Sequence, residues 1–550
     1  MVSRSNGRAR TSVAFNASHL AAVALCLLIW TPSPFRAGRA APSRHSSTLR
    51  SAQAGQSVAL AQTTVQVPAS MRWAPFDVDR SLMVPSGFSA SVYARIGDAR
   101  FMAVAPNDDL LVSQPGAGKV VLVRSIPGED PQVFDFVTAL RRPHDIVFHT
   151  INATTYIYIS ETNQINRFIY NAGDTFAHNR QVVVSGLPDT STPGLNGGYN
   201  HELKNIALDS NDKLYVSIGS TCNVCTSDTS SNPVRAAIYQ YDADGSNPRL
   251  FARGLRNAEG VRFLPGTNEL WVVVNGRDDI AYPLNDGTGQ YGRVIPAFVD
   301  NHPPDQFTHV RDGGNYGWPF CNPDPDTAAG MDNPPFDRDF QLNADGHVNC
   351  GAMDRVSKGI QAHSAPLGLL FLQDTAFSAA LRDGAVVALH GSWDREAKTG
   401  YKVAYFPWDS TSQAPGTQSD FVTGFLDDAT QQVWGRPVAV AVNQEGEMYV
   451  ADDFSGTIYK LTDSSVTGPA PQITGVSVEG RNVIVSGQNF DSGAVILVDG
   501  QPVRTRHDPA DPNSLTGKKL LKFLTPGQPV SIQVQNSNGM VSAAVPFTAP

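Results

Sequence analysis

The sequence of 550 residues predicts an all-β fold, and three observations carry this prediction. One phrase recurs along the chain: an apolar strand, a polar turn and a second apolar strand, as in an antiparallel hairpin. Most copies start about forty to seventy residues apart, which suits units that bury their faces against their neighbours. Short alternating strands with glycine turns then continue to the C-terminus. Together these observations predict a six-bladed β-propeller followed by a small immunoglobulin-like β-sandwich. The copies are Phe101–Ser113, Asp145–Ser160, Asn205–Gly219, Gly260–Val274, Gly368–Gly391 and Ala439–Asp452.

The predicted propeller covers residues 82–463. Ahead of the first copy, Phe88–Ala94 is predicted to pair with Thr457–Leu461, because closing the ring removes open sheet edges. The interval between the fourth and fifth copies is much longer than the others and is rich in proline, aspartate, asparagine and glycine. Residues 279–362 are therefore predicted to be an insertion, of the kind in which binding groups often lie.

The N-terminus has the layout of a secretory signal. Met1–Arg10 carries several arginines, Leu20–Trp30 is a short apolar run, and Ala37–Ala41 offers small residues for cleavage. We therefore predict a signal peptide over residues 1–41 and a flexible lead-in over residues 42–81. The protein is then secreted or periplasmic, with no membrane span after signal removal. A transit peptide and a tethered signal anchor are the alternative interpretations.

A change of composition predicts a linker over residues 464–470. Residues 471–550 then show short alternating strands at regular spacing, the pattern of a small β-sandwich. The phrase VSGQNF at Val485–Phe490 and its surroundings closely resemble the IPT/TIG immunoglobulin-like domain. No group of residues here suggests catalysis, so we predict an accessory domain, with a carbohydrate or a protein as its possible partner.

The cysteines indicate an oxidising compartment. The chain has five, and Cys26 lies in the apolar run that signal processing removes. An even number remains, which predicts two disulfides. Of the possible pairings we favour Cys222–Cys225, a tight loop clip, and Cys321–Cys350, which ties down the insertion. A zinc site with four thiolate ligands is the rival interpretation.

A cationic or imidazole side chain stands before the first strand of every copy. Because the innermost strands of propeller blades start at one end of the central channel, we expect these side chains to converge on one opening. The chain is acidic, with a formal charge of −9, so a positive opening is not a by-product of composition. This pattern predicts an anionic small ligand and no nucleic-acid partner. The residues are Arg100, His144, His201 with Lys204, Arg256, His363 and Arg436.

Several phrases of the predicted propeller resemble, in the same order, the glucose/sorbosone dehydrogenase family, whose members use pyrroloquinoline quinone (PQQ). The resemblance spans residues 82–461, and the variants TCNVC and HGSW are similar to its sorbosone or pyranose dehydrogenase branch. It implies a quinoprotein that oxidises an aldose or pyranose by hydride transfer to PQQ and then needs an external electron acceptor. The phrases are LRRPHDIVFH, NHELKNIALDSNDKLYVSIGSTCNVC, FARGLRNAEGVRF, ELWVVVNGRDDI, VRDGGNYGWPFC, HGSWDREAKTGYKV and WGRPVAVAV.

The resemblance also implies roles for individual residues. His201 matches the family's general base, and Arg256 would stabilise the negative charge that grows on the quinone oxygen. The backbone carbonyls of Gly276 and Arg277 match the ligands of a Ca²⁺ ion that bridges to the quinone. The residues expected to bind the cofactor are Arg100, His144, Lys204, Arg256, Asn257, Asn275, His363, His390 and Arg436.

Several positions depart from the pattern of the glucose enzymes, among them Asn275 and Arg277, which replace the Gln and Pro that flank the metal-site glycine. Ser220 stands where they have an aspartate that orients the base, and Lys204 replaces the usual arginine after the histidine. Two other functions stay open: a binding propeller without catalysis, and a lactonase-type hydrolase whose Ca²⁺ is held by Asn, Asp and Glu side chains in the channel. The cationic residues at the strand starts argue against the lactonase.

Overall fold

The computed structural model describes a nearly all-β protein, as predicted. It covers residues 57–126, 129–463, 470–491, 493–508, 511–536 and 540–550. The predicted signal peptide, residues 42–56 of the lead-in and residues 464–469 of the linker lie outside the described residues. None of the helices in the described part of the chain has the length and apolar character needed to cross a membrane. Those helices are Pro296–Val299, which is α-helical, and the 3₁₀ segments Ala69–Met71, Thr226–Ser230, Cys350–Ala352 and Leu520–Lys522.

Six antiparallel sheets of four or five strands follow one another within the described part of residues 88–463. Each copy of the repeated phrase supplies the first two strands of one sheet, so the sheets are numbered 1 to 6 in the order of the copies. Their strands are Met102–Val104, Leu110–Gln114, Lys119–Arg124 and Gln132–Val137 in sheet 1; Ile146–Ile151, Thr154–Ser160, Gln164–Ile169 and His178–Ser185 in sheet 2; Ile206–Leu208, Lys213–Ile218, Ala237–Asp242 and Arg249–Arg253 in sheet 3; Ala258–Phe263, Leu270–Val274, Asp305–Val310 and Lys358–Ile360 in sheet 4; Pro366–Phe371, Gly384–Leu389, Lys402–Asp409, Ala414–Pro415 and Ser419–Val422 in sheet 5; and Pro437–Val442, Met448–Asp452, Thr457–Asp463 and Phe88–Arg95 in sheet 6.

Sheet 3 shows why the repeated phrase forms a hairpin. In its turn, the Asp209 carboxylate accepts hydrogen bonds from the backbone N–H groups of Asn211 and Lys213, both at 2.9 Å. Asp212 adopts a left-handed φ of 55°, which aspartate tolerates better than most residues. The strand that follows, Lys213–Ile218, is buried along almost its whole length. A polar turn therefore reverses the chain between two strands that belong in the core.

The six sheets close into a ring. The first strand of each sheet contacts the first strand of the next sheet, and that of sheet 6 contacts that of sheet 1. This is the arrangement of a β-propeller. Sheet 6 takes its last strand, Phe88–Arg95, from the chain ahead of sheet 1, where it pairs antiparallel with Thr457–Asp463. The predicted ring closure is confirmed, and it covers an edge of sheet 6 that would otherwise be unpaired.

The hydrophobic core lies in layers between adjacent sheets. Leu111 and Leu122 of sheet 1 share one cluster with Ile157 and Ile159 of sheet 2, and all four are fully buried. Removing one such side chain from water contributes about 1.5–3 kcal/mol, so each layer fixes one sheet against the next. The ring therefore has a rigid wall on which site residues can be placed.

The long interval after the fourth copy matches the predicted insertion only in part. It holds a hairpin of Cys321–Pro323 with Phe336–Arg338 outside the ring sheets. It also supplies Asp305–Val310 and Lys358–Ile360, the third and fourth strands of sheet 4. The predicted range of 279–362 is therefore too broad, because sheet 4 takes its outer strands from within it.

Both predicted disulfides are formed. Cys222–Cys225 has an S–S distance of 1.94 Å, and Cys321–Cys350 has an S–S distance of 2.00 Å. The zinc interpretation is wrong, because all four sulfur atoms are paired with each other. Cys321–Cys350 joins the hairpin of the insertion to the 3₁₀ segment that begins at Cys350.

Part of the predicted lead-in is structured. Leu60–Thr64 pairs antiparallel with Ser81–Pro85, and the buried Phe76 ring packs against the rings of Trp434 and Tyr459. The prediction of a flexible segment is wrong for these residues, because apolar side chains within it bury against sheet 6 and the loop before it. That loop contains a small hairpin, Leu426–Asp427 with Gln432–Val433.

The C-terminal region forms two four-stranded antiparallel sheets within its described residues. Val483 and Val485 of one sheet share a buried cluster with Ile496 and Val534 of the other. The IPT/TIG assignment stays a prediction. The strands are Gln472–Glu479, Asn482–Gln488, Asp511–Gly517 and Thr505–Asp508 in one sheet, and Gln501–Pro502, Val495–Val498, Pro529–Gln535 and Val545–Thr548 in the other.

Candidate active site

A cavity of about 260 Å³ gathers most of the predicted site residues. Arg100, Arg256, His363 and Arg436 each stand shortly before the first strand of a sheet, and all four line this cavity. Side chains that are far apart in the sequence therefore converge because their strands start at the same end of the ring. The other predicted residues that line the cavity are His201, Asn257, Asn275, Gly276 and His390.

Two predicted cofactor-binding residues, His144 and Lys204, are fully buried and do not line the cavity. Nε2 of His144 lies 3.0 Å from Oε2 of Glu259, which does line it. The ammonium of Lys204 donates to the backbone carbonyl of Glu202 and lies 5.1 Å from the centroid of the Tyr199 ring. Burial lowers the pKa of Lys204 to about 7. His144 therefore contacts the cavity wall from behind through Glu259, whereas the Lys204 side chain contacts residues that do not line the cavity.

Arg277, a predicted metal residue, also lies outside the cavity lining, whereas Gly276 lines it. The Arg277 side chain is 3% exposed, and its guanidinium is paired with the buried carboxylate of Asp339 and donates to Gln341. Asp339 belongs to the insertion, so sequence spacing gave no sign of this contact. The Arg277 charge beside the predicted Ca²⁺ ligands is thus compensated within the protein.

His201 presents one particular ring nitrogen to the cavity. Its Nδ1 lies 3.0 Å from the carbonyl oxygen of Ser220 and 2.9 Å from the Ser220 hydroxyl, whose own hydrogen is donated to the carbonyl of Cys222. Both Ser220 oxygens thus accept from an Nδ1–H group, and this leaves the lone pair on Nε2. Nε2 makes no hydrogen bond within the described residues.

The surroundings of His201 keep its imidazole neutral. Burial, followed by the charge of Arg256, lowers the pKa of His201 to about 3. Gly219 packs directly against it: a Cβ at Gly219 would lie 2.6 Å from Cβ of His201, so this position requires a glycine. A neutral, oriented imidazole with a free lone pair can accept a proton, and the low pKa makes it a weak base.

The Cys222–Cys225 loop positions Arg256. The Nη2 atom of Arg256 lies 2.5 Å from Oδ2 of Asp278, and its Nε donates to the carbonyl of Asn223 at 3.3 Å. The indole N–H of Trp318 donates to the same carbonyl at 3.0 Å, and the Asn223 amide bonds the backbone of Asp278 at 2.8 and 2.9 Å. Asn223 was not predicted, although its place between two bridged cysteines is a signal that it is held in position.

The cavity is not purely cationic, which corrects the prediction of a positive opening. Nη1 of Arg100 lies 2.5 Å from Oδ2 of Asp453, and Nε2 of His390 lies 2.8 Å from Oδ1 of the same carboxylate. The prediction missed that Asp278, Asp394 and Asp453 follow the second strands of their hairpins, which end where the first strands begin. Carboxylates and cations therefore share one opening. The carboxylate residues that line the cavity are Glu259, Asp278, Asp305 and Asp394.

Asp305 connects two parts of the cavity wall. Its carboxylate accepts hydrogen bonds from the backbone N–H of Gly276 at 2.7 Å and from that of Ala365 at 3.0 Å. Burial raises the pKa of Asp305 to about 6 despite these bonds. Through these two bonds, one side chain fixes the segment around Gly276 against the segment around His363.

His363 has its two nitrogens in different surroundings. Nε2 lies 2.8 Å from the carbonyl of Val299 and 3.1 Å from that of His302, so it carries the hydrogen. Nδ1 lies 3.1 Å from Oδ2 of Asp394 and 3.9 Å from Oδ1 of Asp278. Because its N–H group already serves backbone carbonyls, a neutral His363 has no donor left for a cofactor carboxylate.

The part of the chain that builds this cavity matches a known family. A family model described as TrAA12-like matches residues 82–464. The chain belongs to this family. The TrAA12-like region contains all six ring sheets. Together with the PQQ-dependent pyranose dehydrogenase among the relatives below, this match confirms the resemblance of the predicted propeller to PQQ-dependent sugar dehydrogenases.

Two curated relatives of this TrAA12-like chain are each 24% identical to it. An uncharacterised protein of Borreliella burgdorferi aligns over 418 residues, which is 72% of this chain and 95% of that protein. A pyrroloquinoline quinone-dependent pyranose dehydrogenase of Coprinopsis cinerea aligns over 342 residues, or 55% of this chain. The alignment covers 44% of that enzyme's own length.

A solved structure has the same fold. The PQQ domain of the pyranose dehydrogenase from Coprinopsis cinerea, in its holo form, superposes with a TM-score of 0.58 at 20% identity. The match covers 72% of this chain and 98% of that domain. The TrAA12-like fold therefore extends over the ring sheets, and the matched domain contains little beyond it.

Proposed function

We propose that this chain is a PQQ-dependent dehydrogenase that oxidises a pyranose or another aldose, with His201 as the acceptor of the sugar's hydroxyl proton. One observation carries the proposal: a neutral, oriented imidazole and three guanidinium groups line the same cavity. Guanidinium groups suit a tricarboxylated cofactor, and a neutral imidazole suits proton abstraction. The TrAA12-like family and the pyranose dehydrogenase among its relatives support the same reaction.

The donor set fits an anionic cofactor although carboxylates are also present. Each guanidinium has five N–H donors in a planar fork, so Arg100 and Arg256 retain donors beside their contacts with Asp453 and Asp278. Nε of Arg100 is buried and has no hydrogen-bond partner in the described part of the chain. When bound, PQQ supplies a two-electron acceptor for a hydride. The residues that would hold it are Arg100, Arg256, Arg436, Asn257 and Asn275.

His201 and Arg256 have separate roles: His201 accepts a proton, and Arg256 stabilises negative charge. Nε2 of His201 takes the proton of the hydroxyl, while Ser220 holds the ring through Nδ1. No carboxylate bonds to Nδ1, so the imidazolium gains no ion pair there, and the nearby Arg256 repels it. The proton therefore leaves His201 readily after the reaction. Arg256 is placed to stabilise negative charge that develops on an oxygen in the cavity.

Ca²⁺ at the carbonyls of Gly276 and Arg277 remains part of the proposal through the resemblance alone. We also interpret the six sheets as the six blades of the propeller and the C-terminal region as an accessory domain. Secretion, or export to the periplasm, is supported by the predicted signal peptide and by two formed disulfides. A sugar and an external electron acceptor are the expected small-molecule partners.

Calorimetric titration of PQQ into the full-length chain in a Ca²⁺-containing buffer tests the proposal. We expect saturable binding, and then dye reduction with pyranoses or aldoses. Arg436→Ala should weaken PQQ binding, whereas Arg311→Ala, an exposed arginine outside the cavity, should not change it. Absence of PQQ binding would overturn the proposal. Binding without any turnover would instead favour the non-catalytic binding propeller.

The carboxylates in the cavity favour a second candidate, a metal-dependent lactone hydrolase. The sequence argument against it was a cationic opening, and Asp278, Asp305 and Asp394 weaken that argument. Hydrolysis of sugar lactones in the presence of Ca²⁺ and without PQQ distinguishes the two reactions. The dehydrogenase proposal expects no such hydrolysis.

A further inference from the structure

Three potential metal ligands from separate loops meet beside the cavity. Asp278 follows the second strand of sheet 4, His363 precedes the first strand of sheet 5, and Asp394 follows the second strand of sheet 5. One ligand atom from each lies within 4.8 Å of the other two. The side chains of His363 and Asp394 are each 3% exposed, and that of Asp278 is 21% exposed. The cluster is thus built into the wall and is open on one side.

The hydrogen bonds of His363 prepare Nδ1 as a ligand. Nε2–H donates to two backbone carbonyls, so a neutral ring has its lone pair on Nδ1. Metal-binding histidines usually donate their other N–H group to a carbonyl or carboxylate in this way, which fixes the tautomer and the ring orientation. The lone pair of Nδ1 then lies 3.1 Å from a carboxylate oxygen of Asp394. Two electron-rich atoms at this distance need a proton between them or a metal ion bound to both.

The buried carboxylate of Asp394 provides separate evidence for a bound cation. Both of its carboxylate oxygens are buried, and neither accepts a hydrogen bond within the described residues. The approach of Oδ2 to Nδ1 of His363 lacks hydrogen-bond geometry. A buried carboxylate without a donor is strongly unfavourable unless a cation compensates it.

We propose that Nδ1 of His363 and one carboxylate oxygen each of Asp278 and Asp394 bind a divalent first-row transition-metal ion, such as Mn²⁺ or Zn²⁺. Two ligands at about 2.1 Å from one ion are about 3.0–3.5 Å apart at right or tetrahedral angles. The separations of 3.1 Å and 3.9 Å between Nδ1 of His363 and the two carboxylates are close to this range, and all three ligand atoms lie within 4.8 Å of one another. One imidazole and two carboxylates suit such an ion, whereas Ca²⁺ takes oxygen ligands.

This site uses different donor atoms from the Ca²⁺ site expected at Gly276 and Arg277. It also contacts the proposed reaction machinery, because Oδ1 of Asp278 faces the cluster and Oδ2 accepts from Arg256. The Asp305 carboxylate supports the cluster because it accepts hydrogen bonds from the backbone of Gly276, near Asp278, and of Ala365, near His363. The inference does not depend on PQQ or on sugar oxidation.

The test uses the full-length chain, stripped with a chelator and then titrated with Mn²⁺ in the absence of PQQ and sugar. We expect one Mn²⁺ per chain by electron paramagnetic resonance and calorimetry. The bound ion should show ¹⁴N electron spin-echo modulation from a directly bound imidazole. Asp394→Asn should lower the Mn²⁺ affinity by at least about tenfold. Its melting temperature without metal should not fall, because the variant removes a buried unpaired charge.

Asp326→Asn is the matched control. It makes the same chemical change in the cluster of His302, Asp324 and Asp326, where the Asp326 side chain is 74% exposed. This variant should bind Mn²⁺ as the unchanged chain does. The proposal is overturned if Asp394→Asn binds Mn²⁺ with unchanged affinity, if the bound ion shows no ¹⁴N modulation, or if the unchanged chain binds no Mn²⁺. In that last case the cluster is an ordinary His363–Asp394 ion pair.

Discussion

His201 and His363 line one cavity but commit opposite ring nitrogens to the protein. His201 gives Nδ1 to the oxygens of Ser220 and keeps Nε2 free. His363 gives Nε2 to the carbonyls of Val299 and His302 and turns Nδ1 toward the carboxylates of Asp394 and Asp278. The neighbours of the second nitrogen also differ, because Arg256 acts on His201 whereas two carboxylates face His363.

The surroundings of each ring, and not the residue type, decide what these two histidines can do. A free lone pair beside a cation stays unprotonated and is suited to take a proton only during reaction. A lone pair beside carboxylates is suited to bind a cation, which here would be shared by His363, Asp278 and Asp394. The same residue type is thus a base candidate on one wall and a ligand candidate on the other.

The largest effect should come from His201→Ala. We expect kcat of the PQQ-reconstituted protein to fall about 10²–10⁴-fold, because the proton acceptor is lost. PQQ affinity should stay within a few-fold, and Mn²⁺ affinity should be unchanged. Stopped-flow dye reduction and calorimetry measure these quantities. Turnover that survives the change would show that a group other than His201 accepts the proton.

The next effect concerns the other histidine. In His363→Gln, an amide nitrogen can still donate to the backbone carbonyls, but the ligand atom Nδ1 is gone. We expect Mn²⁺ affinity to fall about tenfold or more, with little change in the melting temperature of the metal-free chain. If the variant keeps the ¹⁴N modulation and the affinity of the unchanged chain, His363 is not a ligand.

A smaller and more specific effect is expected from Ser220→Asp. A carboxylate at this position would stabilise the imidazolium and raise the pKa of His201 from its value of about 3. Loss of activity through His201 protonation should therefore begin at a higher pH in the variant, and the acidic limb of kcat/KM should move toward neutral pH. Ser220→Ala is the uncharged control. If the acidic limb of kcat/KM does not move in Ser220→Asp, protonation of His201 does not determine the pH profile.

The smallest effect is expected from Cys222→Ser with Cys225→Ser. These changes release the loop that holds Asn223 against Arg256, so kcat/KM should fall several-fold. Stability should change little, because the bridge closes a short loop. Removing Cys321–Cys350, which closes a longer loop, should cost about 2–4 kcal/mol of stability and leave kcat/KM nearer to its original value. The reverse pattern would contradict the positioning role of the clip.

The sequence predicted the features that depend on local pattern. The hairpin of sheet 3 was expected within Asn205–Gly219, and its observed strands are Ile206–Leu208 and Lys213–Ile218. The pairing of Phe88–Arg95 with the end of the propeller followed from the need to cover an edge. Arg100, Arg256 and Arg436 met in one cavity because all hairpins of a ring begin at the same end, whereas His144 and Lys204 did not reach it.

Contacts between elements could not be predicted in the same way. The partners of Arg100, Arg256 and Arg277 are Asp453, Asp278 and Asp339, which lie on other loops or in the insertion. Their pairing depends on which loops the ring brings together. Hydrophobic periodicity does not indicate which loops become neighbours. The lead-in strand Leu60–Thr64 was missed for a similar reason, since its partner strand, Ser81–Pro85, was not recognised.

The origin of the last strand of sheet 6 has a consequence for biosynthesis. Phe88–Arg95 emerges from the ribosome early, whereas its partner, Thr457–Asp463, emerges only after all the other ring strands. Throughout translation the nascent chain therefore carries a strand whose backbone groups lack their final partner. Completion of the ring is a late event in the life of the molecule, and a chain truncated before residue 457 has no means to achieve it.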